Sequence, residues 1–190
     1  MDENPLLRLL RIVCERLEAA GTTYAITGSV ASSLHGQAVS SLDVDLCVRM
    51  SADDAARFAA SLPPELYRSD AGLLVAARSH TMSNVIDPAS GLKVDLSFLS
   101  PSPFHESVLR RRRLVAFASG GPSFWTVSAE DIILMKLLWR KDTRSRKQWD
   151  NALSVVKVNG ARLDWSYLRA WAERLGLTAD LELMMKEAEL

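Results

Sequence analysis

Two aspartates one residue apart, Asp43 and Asp45, interrupt an apolar run made of Val44, Leu46, Cys47 and Val48. Alternate side chains of an extended chain leave the same face, so both carboxylates share one side of a sheet. Thirteen residues separate the pair from Gly28-Ser29, which stands directly after a short strand, Tyr24 to Thr27, and directly before a helix, Val30 to His35, that Gly36 breaks. A glycine between strand and helix leaves room for a close ligand. The free N–H groups and positive dipole end at Ser29 suit a phosphate. Paired carboxylates can bridge hard divalent cations through oxygen. Two such ions would clamp the attacking and leaving oxygens of a phosphoryl transfer.

Asp95 is the third acid of interest. It lies in mid-strand between Val94 and Leu96. An acid there needs a partner, which a metal or another cation would supply. It could also take the proton of an acceptor hydroxyl as a general base. Asp43, Asp45 and Asp95 are therefore the candidate metal ligands and catalytic residues.

The frame around these residues is α/β in the front half and helical in the back third. Residues 5 to 20 read as an amphipathic helix with Asn4 as its cap, Pro5 in its first turn and Gly21 at its end. Asp43 to Arg49 reads as a strand and residues 52 to 61 as a helix stopped by Pro63-Pro64. Residues 81 to 99 read as a hairpin turning at Asp87 to Gly91. Pro101 and Pro103 lead into a short helix ending in Arg110 to Arg113, followed by a strand, Leu114 to Ala118, and a Gly120-Gly121-Pro122 loop. Helices are expected near 129–140, 147–157, 164–175 and 179–189. The division expected is 1–127 for the α/β domain and 128–190 for a helical subdomain.

Composition narrows the class. The chain has 190 residues, with 23 Lys plus Arg against 23 Asp plus Glu. Zero net charge argues against a general nucleic-acid coat. Two cysteines, Cys14 and Cys47, exclude a disulfide scaffold and a Cys-rich zinc site. No apolar run approaches a membrane span, and Asp2 and Glu3 are wrong for a secretory signal. The expectation is a reduced, cytoplasmic protein with no membrane partner.

The Gly28-Ser29 turn, the spacer, Asp43-Val44-Asp45 and the later Asp95 resemble the nucleotidyltransferase fold superfamily, the polymerase-beta-like group. Within it the sequence is most similar to the minimal and AbiEii-type bacterial nucleotidyltransferases. His35-Gly36 stands at the family's helix break, and Ser41 stands where a Thr is usual. Val39 replaces the usual Arg, and Gln148 replaces a second Asp further on. The family's later helical Lys and its basic turn match Lys136, then Arg144, Arg146 and Lys147 before Asp150. Lys136 to Lys147 holds six basic residues against one acid, Asp142, a local charge suited to a triphosphate or a nucleic-acid backbone.

The resemblance implies a nucleotidyltransferase-like mixed sheet with flanking helices, followed by a helical subdomain. It also implies metal-dependent transfer of a nucleoside monophosphate from a nucleoside triphosphate to a hydroxyl, with pyrophosphate released. Two Mg²⁺ ions would sit on Asp43, Asp45 and Asp95. Gly28, Ser29, Lys136 and Arg144 would meet the nucleotide. The acceptor would be RNA or protein in a toxin-like enzyme with an antitoxin partner, or a small antibiotic-like molecule. A non-catalytic nucleotide- or partner-binding module is the alternative, and Val39 is its best support.

Other features read as architecture. His35 is read as a cap and Cys47 as core. Arg110 to Arg113 is read as an exposed helix end complementing the helix dipole. The tryptophans, mostly in the helical part, are read as packing. Lys136 falls on a helix whose neighbours are apolar, where a lysine at the core rim is the competing reading.

Overall fold

The computed structural model describes residues 4–38, 43–117 and 121–190, with backbone alone at 142. Asp2, Glu3, Val39, Ser41, Ala118, Gly120 and the Asp142 side chain, all invoked above, lie outside the described residues.

In chain order the elements begin with α1 (Pro5–Ala19), β1 (Thr23–Thr27), α2 (Gly28–His35), β2 (Asp43–Arg49) and α3 (Ala52–Ser61). There follow β3 (Tyr67–Arg68), α4 (Asp70–Ser79), β4 (Met82–Asp87), β5 (Leu92–Phe98), α5 (Pro103–Arg111), β6 (Arg113–Ala116) and β7 (Ser123–Thr126). The chain ends in α6 (Ala129–Thr143), α7 (Arg146–Asn159), α8 (Trp165–Leu175) and α9 (Thr178–Glu187). The strands form one mixed seven-stranded sheet in the order β3-β4-β5-β2-β1-β7-β6. The α/β reading with a helical C-terminal part is the observed architecture.

Contacts divide the chain into two units. The first comprises Met1–Thr27 and Ser41–Thr126 and contains the whole sheet. The second comprises Gly28–Ser40 and Val127–Leu190, so α2 belongs with the C-terminal helices.

In the first unit the centre of the sheet is β5-β2-β1. β2 runs parallel to β5 and antiparallel to β1. One face of β2 and β5 is Val44, Leu46, Val94 and Leu96, all at most 1 % exposed. The opposite face starts with Asp43, Asp45, Lys93 and Asp95. α1 packs on β5 and β1 and buries Leu9, Leu10, Val13, Cys14 and Leu17, a stripe at helical spacing. Its start is fixed by Asn4, whose side chain accepts from the backbone N–H groups of Leu6 and Leu7. Ser51 and Asp54 close a reciprocal capping box on α3.

In the second unit α6 is the buried centre, with Ile132, Ile133, Leu134, Met135 and Leu137 at most 2 % exposed. α7 and α8 pack on α6, and α2 packs on both α6 and α7. Gly36 permits the last of these approaches. A Cβ there would lie 2.5 Å from the Ser154 hydroxyl and 3.1 Å from the Val155 nitrogen. The Ser154 hydroxyl accepts from the Gln37 N–H at 2.7 Å, and Asn159 donates to the His35 carbonyl at 2.5 Å. The His35 ring is bonded to the Val127 carbonyl at 2.8 Å, which makes this histidine part of the packing. Asp131, fully buried at the start of α6, accepts from Ser128 Oγ at 2.7 Å and from the Tyr167 hydroxyl at 2.6 Å.

Candidate functional site: a carboxylate cluster around Lys93

The register of two parallel strands assembles the cluster. Asp45 stands opposite Asp95, and Asp43 stands opposite Lys93. Paired residues of neighbouring strands point to the same side, so all four polar side chains share one face. Asp95 is buried, its side chain 12 % exposed. Asp43 and Lys93 are each about two-fifths exposed. The cluster therefore has a buried floor, Asp95, and an open rim.

Lys93 is the residue the sequence reading passed over. Its Nζ donates to Asp95 Oδ2 at 2.5 Å and lies 3.4 Å from Asp43 Oδ2. The ammonium is thus shared between two of the three acids. The hydrogen bond to Asp95 does most to hold the lysine above its ordinary range; burial opposes it, and the charge of Asp95 and the nearness and charge of Asp43 add to the rise. The signal was available: Lys93 and Asp95 are two apart on one strand and so face the same way. Its closeness to Asp43 depends on the β2–β5 register, which is not local.

Among the described residues, no group of three or more His, Cys, Asp or Glu side chains is arranged to hold a metal ion. Where Asp43 and Asp95 come together, the cation between them is the lysine's own.

The remaining candidates belong to the second unit. Gly28 follows Thr27, the last residue of β1, with no intervening loop. Its φ of 65° is the left-handed conformation that a strand turning at once into a helix requires here. Gly28 is buried and Ser29 half-buried. The side chains of Ser32 and Ser33 bond back to the Gly28 and Ser29 carbonyls at 2.9 and 3.0 Å. Carbonyls are satisfied in this way, while the first-turn N–H groups of a helix have no partner within the helix.

Lys136, on α6, is 2 % exposed, and its Nζ lies 5.4 Å from the centre of the Trp139 ring. Arg144 caps the C-terminus of α6 with φ 52°. It lines a cavity of about 190 Å³ with Arg140, Arg146, Trp149, Leu183 and Glu187. Several of those neighbours are committed to one another. Arg140 pairs with Asp180 at 2.8 Å and stacks on Trp149, whose indole N–H donates to Glu187 at 2.9 Å. Arg146 pairs with Asp150 at 2.8 Å.

No family model and no curated protein matches the sequence. Solved structures do match the fold. An antigenic nucleotidyltransferase-like protein from Paracoccidioides brasiliensis aligns over 95% of this chain and 92% of its own, at 18% identity and a TM-score of 0.56. The antibiotic-resistance factor ANT(2'')-Ia aligns over 95% of this chain and 97% of its own, at 13% identity and a TM-score of 0.52. At such identities the likeness is one of fold, and the fold of this chain is that of nucleotidyltransferase-like proteins.

Proposed function

We propose that this protein transfers a nucleoside monophosphate from a nucleoside triphosphate to a hydroxyl acceptor, with release of pyrophosphate. The observation that carries the reading is the set of three carboxylates on one face of two neighbouring parallel strands, in a fold shared with nucleotidyltransferase-like proteins. The shared fold supports the general transferase class. The residues, the metal and the acceptor are our assignment.

What supports a cation here is the chemistry of the donor set. Asp43, Asp45 and Asp95 offer hard carboxylate oxygens, and two of them already bind a positive group, the Lys93 ammonium. Asp43, Asp45 and Asp95 would hold Mg²⁺. When bound, it supplies charge neutralisation to the phosphates and to the departing oxygen. The chain's own residues do the rest. Asp95 accepts the proton of the acceptor hydroxyl, whose oxygen forms the new bond to the α-phosphorus as the bond to the pyrophosphate oxygen breaks. The first-turn N–H groups at Gly28 and Ser29 would meet phosphate oxygens, and the left-handed Gly28 supports that role because it starts the helix with no side chain in the way. Arg144, exposed at the end of α6, is assigned to the triphosphate charge, whereas Lys136, 2 % exposed beside Trp139, fits the core-rim lysine better. Positioning and fixed electrostatics supply most of the rate in such transfers.

The test incubates the protein with each of the four nucleoside triphosphates and Mg²⁺, with total RNA, a protein extract or small hydroxylated acceptors. Pyrophosphate is measured, and the acceptor's gain in mass identifies the transferred monophosphate and the acceptor class. Product formation that disappears in Asp43→Asn, with the fold retained by circular dichroism, is the expected result. Turnover retained in that variant overturns the assignment. A toxin-like use of the activity adds one requirement, a neutralising partner that co-purifies from the host.

A second reading, a nucleotide-binding module without chemistry, draws on Lys93, whose ammonium already neutralises part of the cluster. Nucleotide binding by titration with no pyrophosphate released from any donor selects it.

A further inference from the structure

Asp95 is too buried to stand as a lone carboxylate. The group that satisfies it belongs to the same strand. Lys93 Nζ lies 2.5 Å from Asp95 Oδ2 and 3.4 Å from Asp43 Oδ2, which is where an ion bridging these two acids would also find its oxygens. Asp43 and Lys93 are directly opposed in the parallel ladder, so the placement is built into the strand register. Lysine offers a compact point charge on a flexible stem, unlike the fixed fork of arginine. With its side chain 39 % exposed, that stem has a route out to solvent.

We propose that Lys93 is a resident counter-cation that a divalent metal ion must displace from Asp43 and Asp95. The inference rests on the reading above, that these carboxylates hold the metal. An ammonium and a divalent ion cannot both sit against the same Asp95 oxygen, because like charges at contact distance in a partly buried site repel strongly. Binding of the ion therefore requires the Lys93–Asp95 hydrogen bond to break. Without metal, the lysine bridges Asp43 and Asp95 and offsets part of their charge.

The experiment titrates Mn²⁺ into the full-length protein without nucleotide, by calorimetry, for wild type, Lys93→Met, Asp43→Asn and the double variant. Methionine keeps the length of the stem and removes the charge. Lys93→Met should bind Mn²⁺ about tenfold more tightly or better, and adding Asp43→Asn should cancel the gain. Equal or weaker binding by Lys93→Met, or binding by neither protein, overturns the proposal. The two readings fail separately. If Asp43-dependent binding is unchanged by Lys93→Met, the counter-cation role falls and the metal site stands. If Lys93→Met tightens binding yet no donor yields pyrophosphate, the transferase reading falls and the counter-cation role stands.

Should Lys93→Met fail to fold, wild type answers by nuclear magnetic resonance. The Lys93 ammonium signal, slowed in exchange by its hydrogen bond, should be lost as Mg²⁺ saturates. An unchanged signal at saturation overturns the proposal.

Discussion

Two buried acids, one in each unit, are satisfied in opposite ways. Asp131, at the start of α6, takes hydrogen bonds from the Ser128 and Tyr167 hydroxyls, and its own N–H returns one to Ser128 Oγ at 3.1 Å. Both are neutral hydroxyls, and both are fixed by the fold: one is the helix's own cap, the other sits on α8. Asp95, on β5, is held by a charged lysine side chain that is partly open to solvent. The first arrangement is part of the helix start, with the Ser128 hydroxyl placed as the cap of α6 and the Tyr167 hydroxyl by α8. The second is exchangeable, because an ammonium can leave and another cation can take its place. A buried acid at a helix start and a buried acid in a candidate site thus differ in what their donors can do: hydroxyls placed by the fold stay, whereas an ammonium on a flexible stem can leave.

The largest effect expected from this contrast is on stability at Asp131. Asp131→Ala removes a buried and a partly buried hydrogen bond and leaves the Tyr167 hydroxyl without this acceptor, a loss of about 2–4 kcal/mol. Urea unfolding measures it, and a loss under about 1 kcal/mol would remove the claim that this acid is structural. Next is Gly28, where the chain passes from the first unit to the second. Gly28→Ala puts a Cβ on a left-handed residue and should cost about 1–2 kcal/mol, read in the same way. Wild-type stability would show that the turn relaxes to another conformation.

Lys93→Met should cost less, about 1 kcal/mol, because the pair is partly screened by solvent. Its pH dependence has a defined sign. The folded lysine titrates above its ordinary value, so its contribution is full below the unfolded lysine's pKa and fades as pH rises through the folded one. The gap in stability between wild type and Lys93→Met should therefore be constant near neutrality and close as pH rises into strong alkali. A gap that closes below the ordinary lysine range would contradict the raised lysine. The smallest effect is chemical. Burial pushes the Cys14 thiol up to about 12, and both cysteines are buried and outside any disulfide. Cys14 should not react with a thiol reagent at pH 8 before unfolding, and its prompt labelling in the native protein would show that the sheet unit opens readily.

The parts of this molecule that were legible in the sequence are those set by local chemistry. α1 announced itself by Asn4, Pro5 and a 3.6-residue stripe, and β2 and β5 by apolar alternation. The helices from α6 to α9 came within a few residues of their expected ends. β3 did not show, because two residues are too few to carry a period of two. α4 buries only Leu73, Ala76 and Ala77 and leaves Val75 exposed, which blurs its stripe. β7 depends on pairing with β1 and β6, both distant or weakly patterned. The same divide runs through the site. Asp43, Asp45 and Asp95 were visible as acids within apolar runs. The pairing of Asp95 with Lys93 was one strand step away from being seen, whereas the approach of Lys93 to Asp43 needs the β2–β5 register. The Tyr167 hydroxyl on Asp131 needs α8 folded against α6.

The central claim is that Asp95, the acid held by Lys93, carries chemistry and that Asp131, the acid at the start of α6, does not. The most direct measurement is Mg²⁺-dependent pyrophosphate release, per folded molecule, by wild type, Asp95→Asn and Asp131→Asn. The account predicts a fall of about 100-fold or more in Asp95→Asn, with release by Asp131→Asn close to wild type. Undiminished release by Asp95→Asn, or a loss in Asp131→Asn as large as in Asp95→Asn, would contradict it.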